Sequence, residues 1–351
     1  MSSSFIKKVV RLDVWIDGVF DERLACERDI ELTVCAASGR DADTWSALQG
    51  AHLYQVSAAK DELPKQWFVN QALLARCPDL LCVSSTGAGY DTINVPACTE
   101  AGVMVVNQAG GNALSVAEHT FGLMLGVSRR MLESDRRLRR ERGFSREDVM
   151  GHEISGKVLG LIGLGHVGTR VAAIAKAFGM QVLAHDPLLS AQAVGERGAS
   201  AVSLAELLAR ADVVSLHCPR DASTLGLMNA ARFAQMKSGA IFISTARGGI
   251  HDEAALLEAL RSNHLAGAGV DVWEPEPPPL DHPLLGLDNV FATFHTAGVT
   301  HEARRNVARI AADQIIALLA GVQPARLINP EVWPVYARRL EEARRRARAN
   351  P

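Results

Sequence analysis

Three polar residues in the second half of the chain stand directly behind apolar, strand-like runs. Arg247 follows Ile241-Phe242-Ile243-Ser244-Thr245-Ala246, Glu276 follows Val270-Asp271-Val272-Trp273-Glu274-Pro275, and His295 follows Phe291-Ala292-Thr293-Phe294. In an open α/β sheet, groups just beyond the carboxyl ends of strands gather in one crevice, so these three are expected to converge. Their types suit hydride chemistry at a carbonyl beside a carboxylate. A guanidinium can fork onto the carboxylate and polarise the carbonyl. An imidazole can give a proton to the developing alkoxide near neutral pH, or take it back in the reverse direction. A carboxylate beside that imidazole would set its tautomer and favour its charged form. Each residue also has a plainer reading: an Arg capping a strand end, a Glu in a Pro-rich loop, a satisfied core His. From spacing alone Glu274 competes with Glu276, and His119 and His217 compete for the proton-transfer role.

Such chemistry needs a hydride carrier, and Lys157 to Gly168 reads as its socket. The apolar run Lys157-Val158-Leu159-Gly160-Leu161-Ile162 breaks into Gly163, Gly165 and Gly168 at the spacing of a dinucleotide loop and then into helix-like sequence. Gly163 can take the tight turn, Gly165 can let a pyrophosphate approach bare backbone, and Gly168 can let the helix pack on its strand. A second apolar run, Met180 to His185, ends in Asp186, eighteen positions after the last glycine. A carboxylate there can accept hydrogen bonds from the adenosine ribose, and it would repel a 2′-phosphate. Pro187, Leu188 and Leu189 add no cation, so the socket favours NAD(H).

The elements that must position these groups alternate along the chain. Strands are expected at Val9–Ile16, 31–35, 51–56, 80–83 and 103–106, with helices near 44–48 and 64–76. That is one α/β unit. It lacks a glycine-rich phosphate loop opening a helix, so it is the candidate substrate side. Between its fourth and fifth strands, Ser85-Thr86-Gly87-Ala88-Gly89-Tyr90-Asp91 is a turn able to expose several backbone N–H groups to a small anion. One long helix is expected from about 112 to 140, apolar first and charged after Ser128. From 157 to about 297, six strands alternate with helices as in a doubly wound parallel sheet. A last long helix, 300–320, leads back to the first unit, and the Arg-rich tail from Tyr336 is expected to fray or pack lightly. The fold class is thus α/β with two doubly wound domains: residues 1–115 plus 300–351, substrate-binding and flavodoxin-like, and residues 116–299, a Rossmann-type NAD-binding domain.

Composition narrows the function classes. The chain has 351 residues, 48% of them hydrophobic, enough for two cores, and its net charge of −2 gives no footprint for nucleic acid or an anionic membrane. The absence of a secretory n-region and of any bilayer-length apolar run predicts a soluble, cytoplasmic protein. Six cysteines without a Cys-x-x-Cys pair read as buried reduced thiols. Neither His152-Glu153 nor His301-Glu302 has a second His at helical spacing, so no metal site is expected.

With these residues assembled, the sequence resembles the D-isomer-specific 2-hydroxyacid dehydrogenases from about Leu80 to Gly321. The resemblance rests on Ser115-Val116-Ala117-Glu118-His119, the glycine loop with Asp186, and Leu216-His217-Cys218-Pro219. It rests equally on Thr245-Ala246-Arg247-Gly248-Gly249, Asp271-Val272-Trp273-Glu274-Pro275-Glu276-Pro277 and His295-Thr296-Ala297-Gly298. It implies a catalytic set of Arg247, Glu276 and His295, and a substrate carboxylate held by Arg247 and the backbone donors of Ala88 and Gly89. It also implies a cofactor lining that adds Val116, His166, Val167, Pro187, His217, Cys218, Pro219, Thr224, Thr245, Ala246, Asp271 and Gly298. Arg247 and His295 would face the cofactor as well.

Some positions depart from the family pattern. Phe294 stands where many members have a proline, and Asp91-Thr92-Ile93-Asn94 replaces an Asp-x-x-Asp. Ser85 and Val56 stand where phosphoglycerate dehydrogenases often carry arginines. The implied function is hydride transfer between NAD(H) and a small unphosphorylated 2-oxo or D-2-hydroxy acid, as in hydroxypyruvate or glyoxylate reductases. Within the enzyme class a phosphoglycerate dehydrogenase is the alternative. Outside it the alternative is a non-catalytic, NAD-responsive protein like the family's corepressors. The family's usual state implies a two-fold homodimer, with a small-molecule substrate as the other partner.

Overall fold

The computed structural model describes residues 5–38 and 41–349. The chain divides into two compact units, Met1–Asn112 with Thr300–Pro351, and Ala113–Val299. The first is built on five strands, β1 (Lys7–Leu12), β2 (Ile30–Cys35), β3 (Leu53–Ser57), β4 (Cys82–Thr86) and β5 (Met104–Val106), all parallel in the order β2-β1-β3-β4-β5. That is the flavodoxin-like order. Central β3 is buried along its whole length, as a parallel strand covered on both faces must be. One side of the sheet packs on Leu48, Trp67, Leu73 and Val83. The other packs on Phe20, Leu24, Ala308, Ala311 and Ile315, so helices Val19–Ala25 and His301–Ala320 cover it.

The second unit has seven parallel strands: β6 (Val158–Ile162), β7 (Gln181–His185), β8 (Ser200–Ala201), β9 (Val213–Leu216), β10 (Ala240–Ser244), β11 (Leu265–Val270) and β12 (Val290–Ala292). Their order, β12-β11-β10-β9-β6-β7-β8, reverses direction between β6 and β9. One more strand is present than the sequence pattern suggested, because β8 is two exposed residues that pair only with β7. Several helices start where a side chain can accept a free N–H of the first turn: Ser190, Ser203, Asn229 and Asp252 all do so.

Four expectations need correction. The helix foreseen over 112–140 is two helices, Ala113–Ser128 and Met131–Arg140, parted by Arg130 in the left-handed region at φ 50°. The Ser128 carbonyl is taken by the N–H of His152 at 2.7 Å instead of continuing the helical ladder. The helix foreseen over 64–76 is a 3₁₀ turn, Lys65–Trp67, and a short helix, Gln71–Arg76, which Asn70 caps. The C-terminal tail does not fray. Residues Trp333–Ala349 form a helix whose Tyr336, Leu340 and Ala343 are buried, with the Tyr336 hydroxyl donating to Leu318 O at 2.8 Å. Its Arg344 donates to Leu319 O and Arg339 to Gly102 O, so the basic residues tie the helix down. Finally, Cys26 is exposed, whereas Cys77, Cys82 and Cys98 are buried, and all six thiols are free.

His251 is a buried titratable group with no partner. It is 2% exposed, packs on the Phe242 ring at 5.4 Å, and neither ring nitrogen finds a hydrogen bond. Burial holds it neutral and pushes its pKa down to about 4. Between that value and the ordinary histidine range the unfolded chain takes up a proton that the folded chain refuses. Stability supplied by the neutral ring is therefore complete above the ordinary value and lost as pH falls toward 4. His251→Leu should leave urea-unfolding stability at pH 7 unchanged or raised, and should flatten its decline between pH 6.5 and 4.5.

Candidate active site

In the second unit the sheet reverses its winding at β6 and β9, the place where open α/β sheets bind ligands. Gly163 follows β6 with φ +94°, and a Cβ there would press on the backbone of His217 and Cys218 behind β9. The N–H of His217 in turn donates to Ile162 O at 2.8 Å, closing the two strand ends together. A Cβ on Gly168 would run into the Gly163 carbonyl, whereas one on Gly165 would meet nothing within 4 Å. The loop is therefore packed tight at its first and third glycines and open at its second. Helix His166–Ala177 starts there, with His166 and Val167 in its first turn and its free N–H groups facing the opening.

Asp186 directly follows β7 and pins the loop. Its Oδ2 accepts the N–H of Leu164 at 2.8 Å and its Oδ1 that of Leu188 at 3.0 Å. Two acceptor positions remain on a carboxylate so used, enough for ribose hydroxyls. Pro187 beside it is exposed. A residue that spacing did not suggest, Arg197, donates to Leu164 O at 2.6 Å from the helix behind. Across the switch point, Pro219 O accepts the Thr224 hydroxyl at 2.6 Å, which shapes the turn after β9. Burial pushes His217 down to about 3 and Cys218 up to about 11, so neither is a proton donor or nucleophile near neutral pH. Val116 is buried in helix Ala113–Ser128, and Thr245 is buried with its hydroxyl 3.2 Å from that of Thr120. This donor set fits a dinucleotide: free backbone N–H groups at a helix start beside the open side of Gly165, and a carboxylate one strand away.

The three candidate catalytic residues lie on neighbouring strand ends of this same unit. His295 Nδ1 is 2.9 Å from Glu276 Oε2, and Glu276 Oε1 accepts the N–H of Trp273 at 3.0 Å. Burial alone would raise the Glu276 carboxyl, but the hydrogen bond and charge of His295, the Trp273 N–H and the Arg247 guanidinium hold it below its ordinary value. Glu274, the competing acid, points elsewhere: its Oε2 takes the Arg220 guanidinium at 2.6 Å. His119, the competing base, is spent on the Thr293 hydroxyl at 2.9 Å. Arg247 is half-buried behind β10 and donates to Ala246 O at 2.7 Å. The next residue, Gly248, has to be glycine, because a Cβ would collide with the Trp273 carbonyl. That close approach sets the Arg247 turn directly against the segment bearing Glu276.

His295 itself sits at φ +47°, a conformation His adopts more readily than most residues but still at some cost. Asp271, with no exposure, holds it there. The His295 N–H donates to Asp271 O at 2.6 Å, and the Asp271 carboxylate accepts from the Thr293 hydroxyl at 2.6 Å, Thr296 N–H at 2.9 Å and Ala297 N–H at 3.0 Å. Gly298 ends this loop, half-buried. Sequence reasoning placed Asp271 only on the cofactor wall. Its position right after β11 was the available signal for a larger part.

In the first unit, Ser85 Oγ donates to Gly89 O at 2.6 Å and Asn107 Nδ2 to Ala88 O at 2.7 Å. These bonds turn the carbonyls inward and leave the N–H groups of Ala88 and Gly89 without an acceptor among the described residues.

Comparison with known proteins follows from this geometry. Residues 121–297 match the family model described as D-isomer specific 2-hydroxyacid dehydrogenase, NAD binding domain. The chain belongs to that family. It is 43% identical over 249 residues to the (S)-sulfolactate dehydrogenase of Chromohalobacter salexigens, covering 70% of this chain and 80% of that one. It is 42% identical over 267 residues to the D-3-phosphoglycerate dehydrogenase of Archaeoglobus fulgidus, covering 76% of this chain but spanning only 50% of the relative. Among solved structures, a glyoxylate reductase from Paecilomyes thermophila superposes with a TM-score of 0.81 at 27% identity, over 93% of this chain and 99% of that one. The second unit matches the family's NAD-binding domain, and Asp186 is the residue expected there to face the adenosine ribose and repel a 2′-phosphate. NADH should be preferred to NADPH, and Asp186→Ala should narrow the ratio of their kcat/KM values by at least about tenfold, the worth of one charged contact. Equal use of both cofactors by the unaltered protein would mean that Asp186 does not face the ribose.

Proposed function

We propose that the protein catalyses hydride transfer between NAD(H) and a small, unphosphorylated 2-oxo or D-2-hydroxy acid, with Arg247, Glu276 and His295 as its catalytic residues. The observation that carries the reading is the Glu276–His295 pair at 2.9 Å, set beside the Arg247 turn at the carboxyl ends of the strands. NADH supplies the hydride when bound. Arg247 forks onto the substrate carboxylate and draws electron density from the 2-oxo group, so it contributes both to binding and to stabilising developing charge. His295, through Nε2, protonates the oxygen as it becomes an alkoxide, and in oxidation the same nitrogen takes the proton back. Glu276 accepts from Nδ1, which fixes the tautomer, and the hydrogen bond and charge of His295 help hold the Glu276 carboxyl below its ordinary value against burial. In the first unit, the N–H groups of Ala88 and Gly89, without an acceptor among the described residues, suit a small carboxylate.

Ser85 and Val56 are both buried and uncharged, and nearby Arg11 is engaged by Asp21 at 2.6 Å, which supports an unphosphorylated substrate. Phe294, 51% exposed beside His295, adds an apolar surface. Hydroxypyruvate and glyoxylate are the first acids to try. The relatives' names make sulfopyruvate and the oxidised form of 3-phosphoglycerate the discriminating additions. A homodimer is part of the proposal. Helix Met131–Arg140 buries none of its residues and exposes Met131 and Leu138, with Met150 exposed nearby, an apolar set suited to a second copy. The cytoplasm is the proposed compartment, supported by six free thiols. No helix among the described residues is long and apolar enough to cross a membrane.

Purified protein should oxidise NADH with at least one acid of such a panel, and a lack of turnover on all of them would sink the reading. Reduction needs the charged ring and so should fall as pH rises, while oxidation should climb over the same range. Glu276→Gln should move the alkaline limit of reduction to lower pH, and Glu274→Gln should leave it in place. Arg247→Ala should raise KM for the acid and lower kcat, with kcat/KM down about a hundredfold or more. Light scattering at micromolar concentration should give twice the chain mass; a monomer would refute the dimer.

A further inference from the structure

A second imidazole–carboxylate pair lies behind the first, and the proposed chemistry makes no use of it. His282 Nε2 stands 2.9 Å from Glu253 Oε2, with side-chain exposures of 15% and 14%. The other nitrogen of His282, Nδ1, is buried without a partner, so Nε2 carries the proton and donates to Glu253. Glu253 opens helix Glu253–Arg261, and its second oxygen, Oε1, accepts the backbone N–H of Glu274 at 2.8 Å. The His282 ring meets the Trp273 indole edge to face, centroids 5.4 Å apart at 75°. The pair thus grips two consecutive residues, Trp273 by its ring and Glu274 by its backbone. Those two residues lead into Glu276, and the N–H of Trp273 is one of the donors to the Glu276 carboxylate.

Resting on the function proposed above, we infer that Glu253 and His282 are positioning residues: they hold the Trp273–Glu276 segment so that the Glu276 carboxylate meets His295 Nδ1. The segment needs such a hold. Glu274 and Pro275 are exposed, and burial therefore does little to order the chain between Trp273 and Glu276. Its other anchors are the Trp273 Nε1 bond to Thr293 O at 2.9 Å and the Arg220–Glu274 ion pair. The first fixes only the indole, and the second lies half in solvent, where an ion pair contributes little. A buried carboxylate accepting one backbone N–H and one imidazole N–H is the stronger and more directional tie. Burial pushes the Glu253 carboxyl up, opposed by the Glu274 N–H and by His282, so both bonds help keep it ionised. Charged groups beside this region include Arg220, paired with Glu274, and Arg247 and His295, which act on Glu276, with Asp252 and Asp281 next to the pair in the chain.

The test uses three variants of the full chain. Glu253→Ala removes both bonds, His282→Phe keeps a ring against Trp273 but removes the donor, and Glu253→Gln keeps an acceptor for the Glu274 N–H. The first two should bind NADH within about twofold of the unaltered protein and should reduce the 2-oxo acid with kcat lowered about tenfold or more, the scale on which a sub-ångström to one-ångström misplacement acts. Their alkaline limit for reduction should move to lower pH, as Glu276 leaves His295. Glu253→Gln should recover most of the rate. Crystals of the variants grown without cofactor should show the Glu276–His295 contact lengthened beyond hydrogen-bond reach, a readout that needs no turnover. If Glu253→Ala does not fold, His282→Phe decides. A folded, NADH-binding variant with unaltered kcat, pH profile and Glu276–His295 contact would overturn the inference, as would Glu253→Gln behaving like Glu253→Ala. Inactivity of the unaltered protein on every acid would instead remove the functional reading, and the variant crystals would still decide the positioning.

Discussion

A fully buried carboxylate, Asp271, is the group on which the arrangement at the carboxyl edge of the second sheet depends. Its two oxygens receive a hydroxyl and two backbone N–H groups from the loop after β12, and its own carbonyl receives the His295 N–H. An unpaired carboxylate in that place would be very costly, so the loop has one low-energy way to fold over it. That way places His295 in the left-handed region, a local cost of order 1–3 kcal/mol that several charge-assisted bonds offset. The same loop carries the Thr293 carbonyl, to which the Trp273 indole is tied. One buried charge therefore orders both the imidazole and the segment that brings a carboxylate to it.

The cofactor socket works by different physics, close approach of bare backbone. Gly163 and Gly168 are packed so tightly that a methyl group on either would displace the turn after β9 or the loop itself. Asp186 and Arg197 hold the N–H and the carbonyl of Leu164 respectively, one from each side. A loop fixed in this way loses little further entropy when a phosphate arrives, which is what preorganisation means in energetic terms. Gly248 repeats the device at β10: absence of a side chain there lets the Arg247 turn and the Trp273 carbonyl touch.

The first unit contributes polarity without charge. Its Ser85 to Gly89 turn commits the Gly89 and Ala88 carbonyls to hydrogen bonds from Ser85 and Asn107 and leaves the N–H groups of both residues without an acceptor among the described residues. Ser85 and Val56 are wholly inside the unit, and a cation at either would have had to be buried at high cost or to push outward. A turn built this way can orient a small carboxylate, and it brings no added charge for a second anionic group.

The amino-acid sequence by itself determined the alternation of strand and helix, the parallel architecture of both units, the glycine loop with its acid, and the membership of Arg247, Glu276 and His295 in one edge of one sheet. These follow from period, spacing and residue type, which are local properties of the chain. Spacing alone left Glu274 and Glu276 as rivals and the family resemblance favoured Glu276; the tertiary structure adds that Glu276 meets His295 while Glu274 meets Arg220, more than fifty positions away. It also decided that desolvation pushes the His217 pKa down, that Asp271 is an organiser as much as a wall, and that Glu253 finds His282. The helix break at Arg130 depends on the His152 N–H reaching back to Ser128, and the docked C-terminal helix depends on three buried residues spaced among arginines. Each of these is a contact between residues distant in sequence, and no local pattern encodes which partner a buried hydrogen-bonding group will meet.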